Sequence, residues 1–96
     1  RDVDAVATPI LQHSPVLTEE DLVEVVLAGA PAKQEAIARR SRLSETVTEA
    51  IALYGCKEAV EAAALNEGAS FSDAAFNGTL RRFGEDADIQ GALVGR

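Results

Sequence analysis

The amino-acid sequence predicts an all-α fold, a right-handed α/α solenoid of about three helix pairs preceded by one N-terminal helix. Hydrophobic residues make up 47% of the 96 residues, yet the only aromatic residues are one tyrosine and three phenylalanines. The apolar side chains are mainly Ala, Val and Leu, and alanine has the highest helix propensity. Apolar residues recur at helical spacing, and helix-starting and helix-stopping residues recur at regular intervals. Repeats of two short helices are typical of a stacked solenoid.

The N-terminal helix is predicted from one apolar face, formed by Val3, Val6, Ala7, Ile10 and Leu11. Pro9 interrupts this face, either as a kink or as the first residue of a new helical turn that Thr8 caps. Ser14 and Pro15 end the segment.

Six further helices are predicted from their caps, stops and apolar stripes. Thr18, Ser44 and Ser72 are N-caps, and Gly29, Gly55 and Gly84 are stops. Pro31 begins the second helix of the first pair. The predicted inner faces, in chain order, are Leu22, Val25 and Val26; Ile37 with Ala36 or Ala38; Leu43, Val47, Ala50, Ile51 and Tyr54; Cys56, Ala59, Val60, Ala63 and Ala64; Ala75, Phe76, Thr79, Leu80 and Phe83; and Ile89, Ala92 and Leu93.

These caps and stops recur at almost constant spacing. Thr18 and Ser44 are 26 residues apart, as are Gly29 and Gly55. The next intervals are 28 residues between caps and 29 residues between stops, which predicts an insertion near Gly68 and Ala69. A large apolar residue precedes each cap: Leu17, Leu43 and Phe71. We therefore predict three successive units of one ancestral pattern.

Composition restricts the classes of function. Nine basic and 16 acidic residues give a formal charge of −7, which disfavours binding to nucleic acids and to anionic membranes. No apolar stretch has the length of about 18–20 residues that a transmembrane helix needs, and there is no signal peptide. The single cysteine fits a reducing, cytoplasmic compartment. The chain starts at Arg1 and not at Met, so we expect a single domain, residues 1–96, taken from a longer protein.

Three stretches of the sequence resemble a bacterial family of uncharacterised proteins, domain-of-unknown-function family 2336. They are Ser14–Leu22 (SPVLTEEDL), Ala36–Arg40 (AIARR) with Leu43 and Ser44, and Leu65 and Asn66 with Gly68 and Ala69. The resemblance covers nearly the whole chain. It implies kinship with HEAT-like and leucine-rich-variant helical repeats, but it implies no activity. The family usually has another polar residue at His13, so no role is assigned to this histidine.

The residues that carry chemistry are few. His13 and Cys56 lie 43 positions apart, which argues against zinc and against a catalytic dyad. We interpret His13 as a helix C-terminal residue and Cys56 as a core residue. The acidic clusters at 19–21 and 85–88 fall at helix starts, where they favour the helix dipole over calcium. Phosphate-binding and nucleophile motifs are absent. We predict no enzyme activity, no cofactor and no metal.

Arginines form the most notable cluster, namely Arg39, Arg40, Arg42, Arg81 and Arg82. One interpretation is structural: these side chains donate to helix C-terminal carbonyls or pair with Glu45, Glu49 or Glu67. The other is that they bind a carboxylate-rich or phosphorylated partner through forked hydrogen bonds.

Two functions follow from this prediction. The first is a non-catalytic protein–protein interaction module, because solenoids present extended surfaces. The second is a nucleic-acid-binding or DNA-repair domain, by analogy with HEAT-like DNA glycosylases, which requires the arginines to converge on one face. We also expect homo-oligomers through the ends of the solenoid, because these carry the apolar residues Val3, Val6, Ile10, Leu93 and Val94.

Overall fold

The computed structural model of the protein describes residues 17–94, and this part of the chain is helical apart from its connections. Its six helices are α1 (Glu19–Ala28), α2 (Pro31–Ala38), α3 (Glu45–Tyr54), α4 (Lys57–Leu65), α5 (Asp73–Phe83) and α6 (Ala87–Val94). Residues 17–94 contain no strand, although one isolated parallel bridge joins Leu43 to Ala69. The all-α prediction is confirmed for these residues. The predicted N-terminal helix lies outside them.

The starts of α1, α3 and α5 are fixed by the three predicted caps. Thr18 Oγ1 accepts a hydrogen bond from the Asp21 amide, and the Asp21 carboxylate accepts one from the Thr18 amide, both at 3.1 Å. Ser44 and Ser72 cap α3 and α5 in the same way, through hydroxyls that accept from the amides three residues later. Each cap satisfies an amide that has no partner within its helix.

Each helix packs mainly against the helix two positions further along the chain. Helices α1, α3 and α5 are successive neighbours in one row, and α2, α4 and α6 are successive neighbours in a second row. In the first two pairs, α1 also contacts α2, and α3 contacts α4. Helices α5 and α6 approach each other much less closely. The third pair is therefore held to the protein by its contacts with the second pair.

One continuous apolar core lies between the two rows. Its fully buried members include Val26, Ile37, Val47, Ile51 and Val60. Many of the remaining core positions are alanines, which let neighbouring helices approach closely. The predicted inner faces of α1, α2 and α4 are confirmed by this core.

Three residues predicted to be buried are exposed instead: Tyr54, Phe76 and Leu80. Tyr54 occupies the last turn of α3, at the position of Ala28 in α1 and Arg82 in α5, and both of these residues are exposed as well. For α5 the cause is the choice of face. This helix packs on α3 through small residues, Ala75, Gly78 and Thr79, and Gly78 leaves room for Leu53 of α3.

The connection between α4 and α5 locates the predicted insertion. The Leu43 amide donates to the Gly68 carbonyl, and the Ser70 amide donates to the Leu43 carbonyl, both at 3.0 Å. Leu43 and Ala69 are bridge partners 26 residues apart, so the repeat register is intact as far as Ala69. The cap that follows is nevertheless displaced by two residues. The extra residues are therefore Ser70 and Phe71, just after the predicted position.

Candidate interaction surface

A groove of about 580 Å³ crosses the connections α2–α3 and α4–α5. Its lining residues, which together define the loop groove, are Ser41, Arg42, Leu43, Ser44, Glu67, Gly68 and Ser70. It contains three serines and one residue of each charge, and it lies beside the capped start of α3. The bridge between Leu43 and Ala69 holds the two connections together at its base.

Asn66 fixes both walls of the loop groove. Its Nδ2 donates to the carbonyls of Ala38, at 2.9 Å, and Arg40, at 2.6 Å. Its Oδ1 accepts from the Gly68 amide at 2.8 Å. One amide side chain thus caps the end of α2 and also ties this end to the α4–α5 connection.

Arg42 extends from a backbone that is fixed on both sides. Asn66 holds the Arg40 carbonyl, and the Leu43 side chain is buried in the core. The Arg42 side chain is exposed, and within residues 17–94 it makes no hydrogen bond and no ion pair. Its five N–H donors are therefore available to an incoming oxyanion.

The other predicted arginines have different surroundings. Arg39 pairs with Glu35, one turn earlier in α2, at 3.3 Å, and Arg40 is half-buried. Arg81 is exposed. Arg82 donates from Nη1 to the Ala52 carbonyl and from Nη2 to the Gly55 carbonyl, each at 2.8 Å, and its guanidinium lies 4.8 Å from the Phe83 ring centroid. The guanidinium of Arg82 thus satisfies the C-terminal carbonyls of α3, a helix of the preceding unit.

The structure places these five arginines at two opposite ends of α3, and not on the single face that nucleic-acid binding requires. Arg39, Arg40 and Arg42 lie in or before the α2–α3 connection, next to the start of α3. Arg82 binds carbonyls at the end of α3, and ten helical residues span about 15 Å. Binding of a partner by the arginines stays a prediction, but only those near the α2–α3 connection adjoin the loop groove.

The predicted glutamate partners are engaged differently from what we expected. The Glu49 carboxylate accepts a hydrogen bond at 2.8 Å from the hydroxyl of Ser72, the cap of α5. Glu67 lines the loop groove, opposite in charge to Arg42. The ion pair of Arg39 lies within its own helix.

Gln34 is a buried polar residue that the sequence analysis missed. Its Nε2 donates to the Val26 carbonyl at 2.7 Å, and its Oε1 accepts from the Cys56 amide at 2.8 Å. This side chain therefore joins the end of α1 to the turn between α3 and α4. The available signal was its spacing, because Gln34 precedes Ile37 and Ala38 by three and four residues on the inner face of α2.

Cys56 is half-buried and packs against the core, just before α4 begins. Its Sγ lies 4.0 Å from the Pro31 carbonyl oxygen. His13 lies outside the described residues. Within residues 17–94, no group of three His, Cys, Asp or Glu side chains is arranged to hold a metal ion.

The acidic cluster at 85–88 acts as a helix start, as predicted. Asp86 Oδ1 accepts from the amides of Asp88, at 3.0 Å, and Ile89, at 3.2 Å, and so caps α6. Its Oδ2 pairs with Lys57 Nζ at 3.0 Å, and Lys57 also pairs with Asp88 at 3.3 Å. The hydrogen bond from Lys57 lowers the pKa of Asp86, and the hydrogen bond to Asp86 raises the pKa of Lys57.

Among the helices described here, none has the length and apolar character needed to cross a membrane. The comparisons with known proteins identify a family and no individual relative. No curated protein and no solved structure matches the chain. A family model described as an uncharacterised protein conserved in bacteria matches residues 6–96. The chain therefore belongs to domain-of-unknown-function family 2336, as the three sequence stretches had indicated.

Proposed function

We propose that this chain is a non-catalytic protein-interaction domain that binds an acidic or phosphorylated segment of a partner protein in the loop groove. The observation that carries the proposal is the exposed, unpaired guanidinium of Arg42 on a rigid backbone. Arginine binds carboxylates and phosphates through two parallel hydrogen bonds, which gives geometric selectivity as well as affinity. Ser41 and Ser70 add hydroxyl donors beside it.

The proposed architecture is a right-handed, HEAT-like α/α solenoid of bacterial cytoplasm. Its support is the pairing of each helix with the helix two positions along, which arranges α1, α3, α5 and α2, α4, α6 in two rows. In such an arrangement every connection between one unit and the next lies on one edge. The loop groove occupies this edge, where the α2–α3 and α4–α5 connections meet.

The nucleic-acid alternative receives less support. A nucleic-acid surface needs several basic groups along one face, because affinity comes largely from contacts with phosphates. Here the five predicted arginines are divided between the two ends of α3, and Arg82 is occupied by carbonyls. The net charge of −7 acts in the same direction.

The proposal can be tested with a peptide array that contains matched acidic, phosphoserine and neutral sequences. We expect oxyanion-rich peptides to be retained, with about tenfold weaker binding for Arg42→Ala, because a charged hydrogen bond contributes about 1.5–3 kcal/mol. Arg42→Lys should recover only part of the loss, since lysine keeps the charge without the fork. Arg81→Ala is the control, an exposed arginine outside the loop groove. Equal binding by wild type and Arg42→Ala would refute the proposal.

A further inference from the structure

The third unit exposes two positions that the first two units bury. Counted from each cap, the fourth and eighth residues are equivalent in α1, α3 and α5. Their exposed fractions are 6% for Leu22 and 0% for Val26 in α1, 0% for Thr48 and 1% for Ala52 in α3, and 38% for Phe76 and 41% for Leu80 in α5. The third unit therefore has its larger side chains at the positions that it leaves open.

The packing of α5 explains why these side chains are exposed. Ala75, Gly78 and Thr79 occupy the side of α5 that faces α3. Helix α6 packs on α4 and hardly contacts α5. Phe76 and Leu80, one turn apart, thus form an apolar strip that no described helix covers. We call this strip, with its flanking residues Asp73 and Arg81, the α5 face.

The charges at the two ends of the α5 face are opposite. Asp73 lies in the first turn of α5 and Arg81 in the last, and both are exposed. Within residues 17–94 neither side chain makes an ion pair or a hydrogen bond. Eight residues separate them, about 12 Å along a helix, so they are too far apart to form the one-turn pair that stabilises isolated helices.

We propose that the α5 face binds a second copy of this chain, with the two α5 helices antiparallel across a two-fold axis. The axis passes near Asn77 and Gly78, midway along the face. This arrangement places Asp73 opposite Arg81 of the second copy, and the symmetry repeats the pair at the other end. Phe76 and Leu80 of both copies then cover one another at the centre. The patch is self-complementary, as an interface with two-fold symmetry requires.

The pairing is weak and depends on concentration. One helix face on each side buries less surface than the roughly 1,200 Å² that stable complexes need at minimum. It is also separate from the loop groove, so this proposal does not rest on the proposed function. Of the end residues predicted to drive self-association, Val3, Val6 and Ile10 lie outside the described residues. Leu93 is buried and Val94 is exposed.

Sedimentation velocity across a concentration series tests the α5 face. The wild-type chain should show a reversible monomer–dimer equilibrium. Asp73→Arg and Arg81→Asp should each weaken the dimer about tenfold, because each places like charges opposite one another. The double variant Asp73→Arg/Arg81→Asp restores both pairs and should return within about threefold of wild type. Circular dichroism confirms that each variant is folded.

Glu45→Arg provides the matched control, because Glu45 is exposed and follows the cap of α3 as Asp73 follows the cap of α5. It should leave the dimer unchanged. A monomer at every concentration would overturn the proposal and would mean that another protein or another part of the chain covers this face. A dimer that ignores the charge exchange would also overturn it, since self-association would then use a different surface.

Discussion

The first two units are joined by buried polar contacts, whereas the polar contacts between the second and third units lie near the surface. Between units one and two, Gln34 is 2% exposed and hydrogen-bonds across the junction in both directions. Between units two and three, Lys57 pairs with Asp86 and Asp88, and all three side chains reach solvent. Equivalent junctions of one repeat pattern are thus stabilised by different chemistry.

The difference indicates how each junction responds to change. A buried polar group that loses its partner bears the full cost of desolvation, whereas water replaces a lost partner at the surface. Apolar packing of α5 on α3 holds the third unit, and its ion pairs contribute little. We therefore expect substitutions at the first junction to act on the whole domain, and substitutions at the second to act weakly.

Gln34→Leu should have the largest effect, a loss of about 3 kcal/mol in the free energy of unfolding. Leucine has a similar size but leaves the Val26 carbonyl and the Cys56 amide without their partner, at about 1–3 kcal/mol for each group. Urea denaturation followed by circular dichroism measures the change. Gln90→Leu is the control, because Gln90 is exposed on α6, and we expect a change below about 0.5 kcal/mol there. A Gln34→Leu variant as stable as wild type would show that the buried amide does not secure the junction.

Gly68→Ala should have an intermediate effect, a loss of about 2 kcal/mol. A Cβ atom at this position would overlap the carbonyl oxygen of Ser41, so the two connections that form the loop groove would have to separate. Gly91→Ala is the matched control, because a Cβ there meets nothing within 4 Å. In helix α6 this control should be stabilising by about 0.5–1 kcal/mol. Thermal unfolding of both variants gives the comparison, and equal shifts would contradict the close approach at Gly68.

The sequence allowed accurate prediction of features that depend on neighbouring residues. Thr18, Ser44 and Ser72 were identified as caps because a cap hydroxyl binds an amide only three residues away. The 26-residue register was found for the same reason, since it follows from the positions of caps and glycines. The family was likewise recognised from short stretches of sequence.

Features that depend on distant residues were predicted less well. Helix α5 has small residues on one side and Phe76 and Leu80 on the other, and periodicity alone does not say which side a neighbour covers. The site shows the same division. Arg42 was predicted among five arginines, but the clamp by Asn66 joins positions 26 and 28 residues apart. From sequence, this asparagine was interpreted only as a break between helices.

The smallest expected effect is the pH response of the third unit. Because Lys57 lowers the pKa of Asp86 below its ordinary value of 3.8, the pair stabilises the folded state fully above that value. This contribution is lost as the pH falls through the lowered pKa. Asp86→Asn keeps an oxygen that caps α6 but removes the charge. We expect wild type to be slightly more stable than Asp86→Asn at pH 7 and at pH 5, and the difference to shrink below about pH 4. Lys57→Gln should abolish the same pH-dependent component, because it removes the cation. Unfolding in urea at several pH values measures both, and a difference that persists undiminished at pH 3 would assign the effect of Asp86 to capping alone.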